Sequence, residues 1–249
     1  MKHVKTFSYS LAILLSFNLF SCKKDSSAIA SQQSKPEQLM QQAQADTATL
    51  LIKPGPDEGS DAMVCFQQND PVVANTNYGA ADQMDIFWWT TGGAPFHTRG
   101  YIKFKTPQGI TKNTKIISAK LLLYGMPGSG FMTQGNSYYP GSPYTSPNNL
   151  LVQQIVTDWN QDSITWNKQL GVRITQLNQV LTRTSQLQWN DNYEIDVTDM
   201  VKEMQRKKKN FGFRIKLETE ATYRSVLFAT SNNPDSSRWP AMRIKYTNQ

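Results

Sequence analysis

Two cysteines and two histidines in 249 residues leave this chain little with which to cross-link itself, ligate a transition metal or move protons. His97 is the only histidine beyond the first few residues. A multi-histidine metal site is therefore out of reach, and a Ser-His-Asp constellation has a single place to form. No Gly-x-Ser-x-Gly, His-Glu-x-x-His or phosphate-loop pattern occurs. Long apolar runs are equally scarce. Leu11 to Phe20, broken only by Ser16 and Asn18, falls well short of the roughly 20 residues that span a bilayer. The formal charge of +7 is modest and is far from a nucleic-acid footprint. Its one dense cluster, Arg206 to Lys209, reads as a solvated helix end.

What is present begins with an address. Lys2 and Lys5 precede the apolar run, and Leu19-Phe20-Ser21-Cys22 closes it, which is the layout of a secretory signal over residues 1–21. The closing cysteine resembles the lipobox of bacterial lipoproteins, with Leu at −3, a small residue at −1 and Cys22 as the acylated residue. Lys23-Lys24-Asp25 resembles in part the export signal of Bacteroidota surface lipoproteins. The expected location is therefore the outer membrane or cell surface, with the lipid as the only membrane contact. Cleavage removes Lys2 and Lys5 and no acid, leaving 24 basic against 19 acidic residues, a net +5 that tolerates anionic partners. With Cys22 acylated, Cys65 has no disulfide partner, and its setting in Ala62-Met63-Val64-Cys65-Phe66 predicts a buried, inert thiol.

Residues 22–49 are rich in Ser, Gln, Ala and Lys and cannot build a core, so they read as a flexible tether. A chain of that length reaches on the order of 30 Å. Residues 50–249 read as one domain of short β-type runs. These are Thr49–Lys53, Asp61–Gln67, Asp85–Thr91, Tyr101–Lys105, Lys115–Tyr124, Leu150–Val156, Asp191–Val197, Phe211–Glu218, Arg224–Thr230 and Met242–Tyr246. Ile117, Ala119, Leu121 and Leu123 are expected on one face of the clearest of them. One helix interrupts, capped by Asp196 or Thr198, with Val197, Met200, Val201 and Met204 on its apolar face, and ended by Asn210 and Gly212. Short strands separated by turn residues predict an all-β antiparallel sandwich or barrel. The segment from Gly125 to Asn149 is too long for an ordinary connection, which marks it as functional or disordered.

Several separated segments carry a further likeness. In order they are Asn75–Gly79 (NTNYG), Arg99–Phe104 (RGYIKF), Ile116–Tyr124 (IISAKLLLY), Asp158-Trp159, Thr165-Trp166-Asn167 and Ile195–Thr198. Asn210–Phe213 (NFGF), Tyr223–Ser231 (YRSVLFATS), Arg238, Pro240 and Tyr246 complete the series. Together they resemble the DNRLRE domain family, also treated as a carbohydrate-binding module, over nearly all of residues 55–249. The resemblance implies a jelly-roll-type β-sandwich on a secreted bacterial protein, with alginate-like or other cell-wall glycans as ligands. Gly100 and Lys105 depart from it, where the family pattern has Ser and an acidic residue.

Sugar binding by such a fold needs aromatic faces for ring C–H groups and planar hydrogen-bonding groups for hydroxyls or carboxylates. Trp88, Trp89, Tyr138, Tyr139, Tyr144 and Tyr223 are candidates for the first, and Arg99, Arg224, Lys103 and Asn77 for the second. Adjacent strand residues point to opposite faces, so one of Trp88 and Trp89 is expected inside and one outside. Trp159 and Trp166 are read as core. For Arg99 and Arg224 the competing reading is an ion pair with Asp85 or Asp196. His97 sits in a turn-like Pro95–Thr98 segment; with Arg99 and a tyrosine it composes the alternative of a polysaccharide lyase. Asp57, Glu58 and Asp61 are weighed as calcium ligands in a Gly/Pro-rich turn, against a solvated acidic turn. The expectation is a non-catalytic surface lipoprotein that binds polysaccharide, with no cofactor other than a conceivable calcium ion. The remaining alternative is a module that engages another surface protein.

Overall fold

The computed structural model describes residues 47–53, 55, 59–106 and 109–248. The expected leader, Cys22, residues 22–46 of the expected tether, Asp57 and Glu58 lie outside them, whereas Thr47 to Thr49, read as tether, pair with the last strand and belong to the domain. Eleven strands and one helix follow in chain order: β1 (Thr47–Ile52), β2 (Gly59–Gln67), β3 (Gln83–Thr91), β4 (Ala94–Phe104), β5 (Thr114–Leu123), β6 (Leu150–Gln154), β7 (Val180–Leu181), β8 (Tyr193–Asp196), α1 (Thr198–Lys207), β9 (Phe213–Leu217), β10 (Arg224–Ala229) and β11 (Ala241–Asn248). All pairings are antiparallel. One sheet runs β1-β11-β5-β8; the other runs β10-β3-β4-β9-β6-β7, with β2 beside β4. The fold is the all-β sandwich that the strand pattern predicted.

β4 organises the larger sheet. One edge pairs with β2 along its length, from Phe104 opposite Gly59 to Phe96 opposite Gln67. The other edge is shared: residues 94–97 pair with β3, and residues 100–102 pair with β9. Between them Thr98 Oγ1 accepts from the Phe87 amide and donates to the Asp85 carbonyl, filling the gap where β3 peels away. The strand also begins earlier than the turn-like Pro95–Thr98 segment suggested. Gly92 and Gly93 both take positive φ (56° and 82°), which makes them the two-residue turn of a β3–β4 hairpin and draws Pro95, Phe96 and His97 into the ladder.

The core lies between the sheets because each contributes an alternating apolar face. Ala119, Leu121, Ile195, Met242 and Ile244 meet Ile86, Ile102, Val152, Ile215 and Phe228 there. Ile117 is not among them; it is 44% exposed while Ile116 is buried. Lys245 pairs with Ser118 and Tyr246 with Ile116, so Ile117 is the extra residue of a β-bulge, which resets the alternation.

Helix α1 opens where expected. Asp196 Oδ1 accepts from the Thr198 amide at 3.0 Å and from its hydroxyl at 2.6 Å. It ends earlier than expected, with Lys208 left-handed (φ 53°) as the C-cap. Asn210 and Gly212 serve the turn into β9 instead. Asn210 Nδ2 donates to the Phe104 carbonyl, and Gly212 sits so close to β4 that a Cβ would lie 2.0 Å from the Ile102 oxygen.

Candidate functional site

Strand β10 is an edge of the larger sheet, and an edge presents amide and carbonyl groups that need partners. Tyr124 and the segment 125–149 that follows it supply them. Ser137 Oγ accepts from the Ser225 amide, Asn136 Oδ1 from the Leu227 amide, and the Tyr124 carbonyl from the Ala229 amide. The Ser225 carbonyl in turn accepts from the Ser137 amide and from Asn148 Nδ2. This long segment is thus an ordered cover stitched to the sheet by short polar side chains.

A second segment, 182–192, is fastened to the first. Asn136 Nδ2 donates to the Leu187 carbonyl, and Asn148 and Ser185 exchange two hydrogen bonds. Arg183 makes a bidentate pair with buried Asp191, which also accepts from the Gln186 amide. Gly135, at φ 68°, allows the close approach: a Cβ there would lie 2.6 Å from the Gln188 carbonyl oxygen.

Between the two segments opens a cavity of about 430 Å³. Tyr138, Tyr139, Pro140, Ser142, Tyr144 and Thr145 line it from the first segment, and Thr184, Ser185 and Gln186 from the second. The three tyrosines are half-buried, so each is anchored and still offers ring surface. Their hydroxyls have no hydrogen-bond partner among the described residues. Behind the cavity, Trp89 packs edge-on against Tyr144 at 5.0 Å and Tyr223 at 5.1 Å, while Tyr144 and Tyr223 stack at 6.1 Å. Tyr223 is 48% exposed and left-handed at φ 64°. A bulky residue in that region stores roughly 1–3 kcal/mol of strain, which is a mark of functional positions. Arg224 donates to the Pro147 and Thr222 carbonyls and so braces the same corner; it pairs with neither Asp85 nor Asp196.

The remaining candidates sit elsewhere. Trp88 and Trp89 do point to opposite faces, but neither is the outward one: Trp89 lies under the tyrosines, and Trp88 stacks flat on His97 at 3.8 Å. His97 is 7% exposed, with Phe66 stacked at 4.8 Å and Trp166 edge-on at 4.7 Å. Burial in this aromatic box pushes its pKa down to about 4, so the imidazole is neutral at pH 7.

Arg99 lies over the Trp166 ring at 4.7 Å and grips Glu220 through both Nε (2.7 Å) and Nη2 (3.1 Å). Its partner is thus Glu220 rather than Asp85 or Asp196, because Glu220 arrives from the β9–β10 connection onto that face. Burial works to raise the Glu220 pKa, but Arg99 and Lys216 outweigh it and hold the carboxyl below its usual range. Tyr101, next along the face, spends its hydroxyl on Gln169. Lys103 is tied to Asp158 and the Trp159 carbonyl, and Asn77 donates to the Gln161 and Ile164 carbonyls; both are structural. Trp159 is buried, and Trp166 is partly so.

Asp61 departs from the calcium reading. It lies inside β2 at 2% exposure and accepts from the Ser231 amide at 2.8 Å, and burial raises its pKa to about 6. Among the described residues no group of three or more His, Cys, Asp or Glu is placed to hold a metal ion. Cys65 is buried and its thiol is pushed well above the usual range. What sequence reasoning missed is the far wall of the cavity, Thr184 to Gln186. Its only signal was a hydroxyl- and amide-rich run resembling the first segment in composition.

Residues 69–245 match the family model of Carbohydrate-binding module family 96, and the chain belongs to that family. Carbohydrate binding in general follows from the membership. No curated protein matches the chain.

Proposed function

We propose that this chain is a non-catalytic, lipid-anchored surface protein of the outer membrane that holds polysaccharide in the tyrosine-lined cavity. The observation that carries the reading is the coincidence, in a carbohydrate-binding module, of three anchored aromatic rings with unpaired hydroxyls. They face Ser, Thr and Gln side chains across a space sized for a small ligand. Tyr138, Tyr139 and Tyr144 supply ring faces and hydroxyls, Gln186 and Thr184 supply hydrogen bonds, and Trp89 and Tyr223 hold the aromatic corner. Exposed Tyr223 and the neighbouring Arg224 extend the surface for a polymer that continues beyond the cavity, and the net positive charge favours an anionic one. Cys22 is the acylation site, and the following residues act as tether.

The non-catalytic reading is supported by the state of the lyase candidates. His97 is enclosed by aromatic rings, Arg99 is locked to Glu220, and Tyr101 is spent on Gln169. The DNRLRE likeness, with its alginate-like ligands, belongs to this proposal. Migration of the chain through gels containing alginate, pectin, mannan or cellulose tests it. Retardation by at least one glycan, lost in Tyr138→Ala/Tyr139→Ala/Tyr144→Ala with an unchanged melting curve, is expected. Unchanged retardation refutes the site, and absorbance from 4,5-unsaturated uronates refutes the non-catalytic reading. No retardation by any glycan shifts the assignment to a protein partner. The mass of the membrane-extracted protein checks acylation of Cys22, which Cys22→Ala abolishes.

A further inference from the structure

A second cavity, of about 400 Å³, has quite different chemistry. It lies at the end of the sandwich where the sheets part, with Ile52 and Ile244 on one sheet, Phe104 and Phe213 on the other, and Val201 and Met204 of α1 across it. Interiors seldom leave apolar voids of this size, because every wall atom facing a void forfeits its packing contacts. Among the described residues no acidic one lines it. At the mouth the side-chain amide nitrogens are already engaged. Gln205 Nε2 donates to the Thr111 and Thr114 carbonyls, and Asn210 Nδ2 to the Phe104 carbonyl. The α1 C-terminus is closed too, since the Lys208 and Lys209 amides donate to the Gln205 and Met204 carbonyls. What the mouth still offers is cationic. Lys105, Lys112, Lys208 and Lys209 are exposed lining residues, and the ammonium groups of the last three have no partner among the described residues.

From an apolar bore with a lysine mouth, whose side-chain amide nitrogens are spent on the backbone, we infer that this cavity binds a single-chain amphiphile with an anionic head, of the fatty-acid type. The acyl chain lies between the sheets and the carboxylate meets the three lysines. A two-chain phospholipid would overfill the space, and a sugar would leave the apolar walls without a matching surface. This site is separate from the tyrosine cavity, and its failure leaves the glycan reading untouched.

Displacement of a dansyl-labelled undecanoate from the full chain by dodecanoate tests the inference. Saturable binding, competed by dodecanoate and at least tenfold more weakly by dodecanol or dodecyltrimethylammonium, is expected. Lys112→Gln/Lys208→Gln/Lys209→Gln, confined to exposed positions, removes the preference for the carboxylate by at least tenfold. Val201→Trp, which fills the half-buried side of the bore, blocks the probe while glycan retardation persists. Absence of saturable binding to a chain with an intact melting transition overturns the site. Equal binding of the cationic amphiphile, or full affinity in the triple lysine variant, overturns the head-group assignment. Competition by anionic phospholipid vesicles as effective as that of dodecanoate overturns the single-chain assignment.

Discussion

Asp85 gives the sharpest test of how this sandwich was assembled. Its carboxyl is fully buried on β3; one oxygen accepts from Gln83 Nε2 at 3.0 Å and the other has no partner. Burial, helped by the nearby Asp82 charge, raises its pKa from the ordinary 3.8 to about 7. A carboxyl that holds its proton more tightly when folded stabilises the fold fully below the unfolded value, and that stability is lost as pH rises through the folded value. Each pKa unit corresponds to about 1.4 kcal/mol, so the loss from pH 5 to pH 7 is about 2–3 kcal/mol.

Two other groups titrate in the same window. Asp61, raised to about 6, adds a loss of the same sign. His97, lowered to about 4, acts oppositely: its contribution is present above its usual 6.5 and fades as pH falls toward 4. These two roughly offset, which leaves Asp85 to set the slope. Urea unfolding of the parent at pH 5, 6, 7 and 8 should therefore show a midpoint falling by about 1 M, taking m as roughly 2–3 kcal/mol/M. Asp85→Asn keeps the shape and removes the charge, so its midpoint should stay nearly level over that range. Parallel pH curves for parent and variant would show that Asp85 does not set the slope.

Two further outcomes follow from the backbone and a third from an ion pair. Gly212→Ala should destabilise by more than Gly100→Ala. At Gly212 the obstacle is the Ile102 carbonyl oxygen and φ is +78°, whereas at Gly100 it is the movable ends of Met84 and Ile86, for which overpacking costs about 1–3 kcal/mol. Equal melting-point shifts would contradict this. Tyr223→Gly should relieve left-handed strain, keeping or raising the melting point while weakening glycan retardation; a large loss of stability would show that the ring is structural. Glu220→Gln should loosen Arg99 and cost about 1–3 kcal/mol in denaturant titration without changing glycan affinity. A change in affinity would move the binding face to β4.

Much of this molecule was legible along the chain because strand formation is local. Alternating apolar residues around Leu121 and an unbroken apolar run at Val226 predict strands, and Asp196 before Thr198 announces the helix start. The aromatic and hydroxyl content of the 125–149 segment likewise marks it before any fold is known. Tertiary structure decided the rest, because it depends on which edges meet. The bulge that exposes Ile117 exists only in the pairing of β5 with β11. Arg99 found Glu220, more than a hundred residues away, because β9 pairs with β4 and delivers the following turn there. Trp88 and Trp89 differ by one position and end in unrelated settings, since a strand sends neighbours to opposite faces and different segments cover each. The tyrosines became a cavity only when 182–192 closed over them, held by Asn136, Asn148 and Arg183. Composition determined that this chain would be a β-sandwich with aromatic loops; long-range hydrogen bonding decided where those aromatics line a cavity.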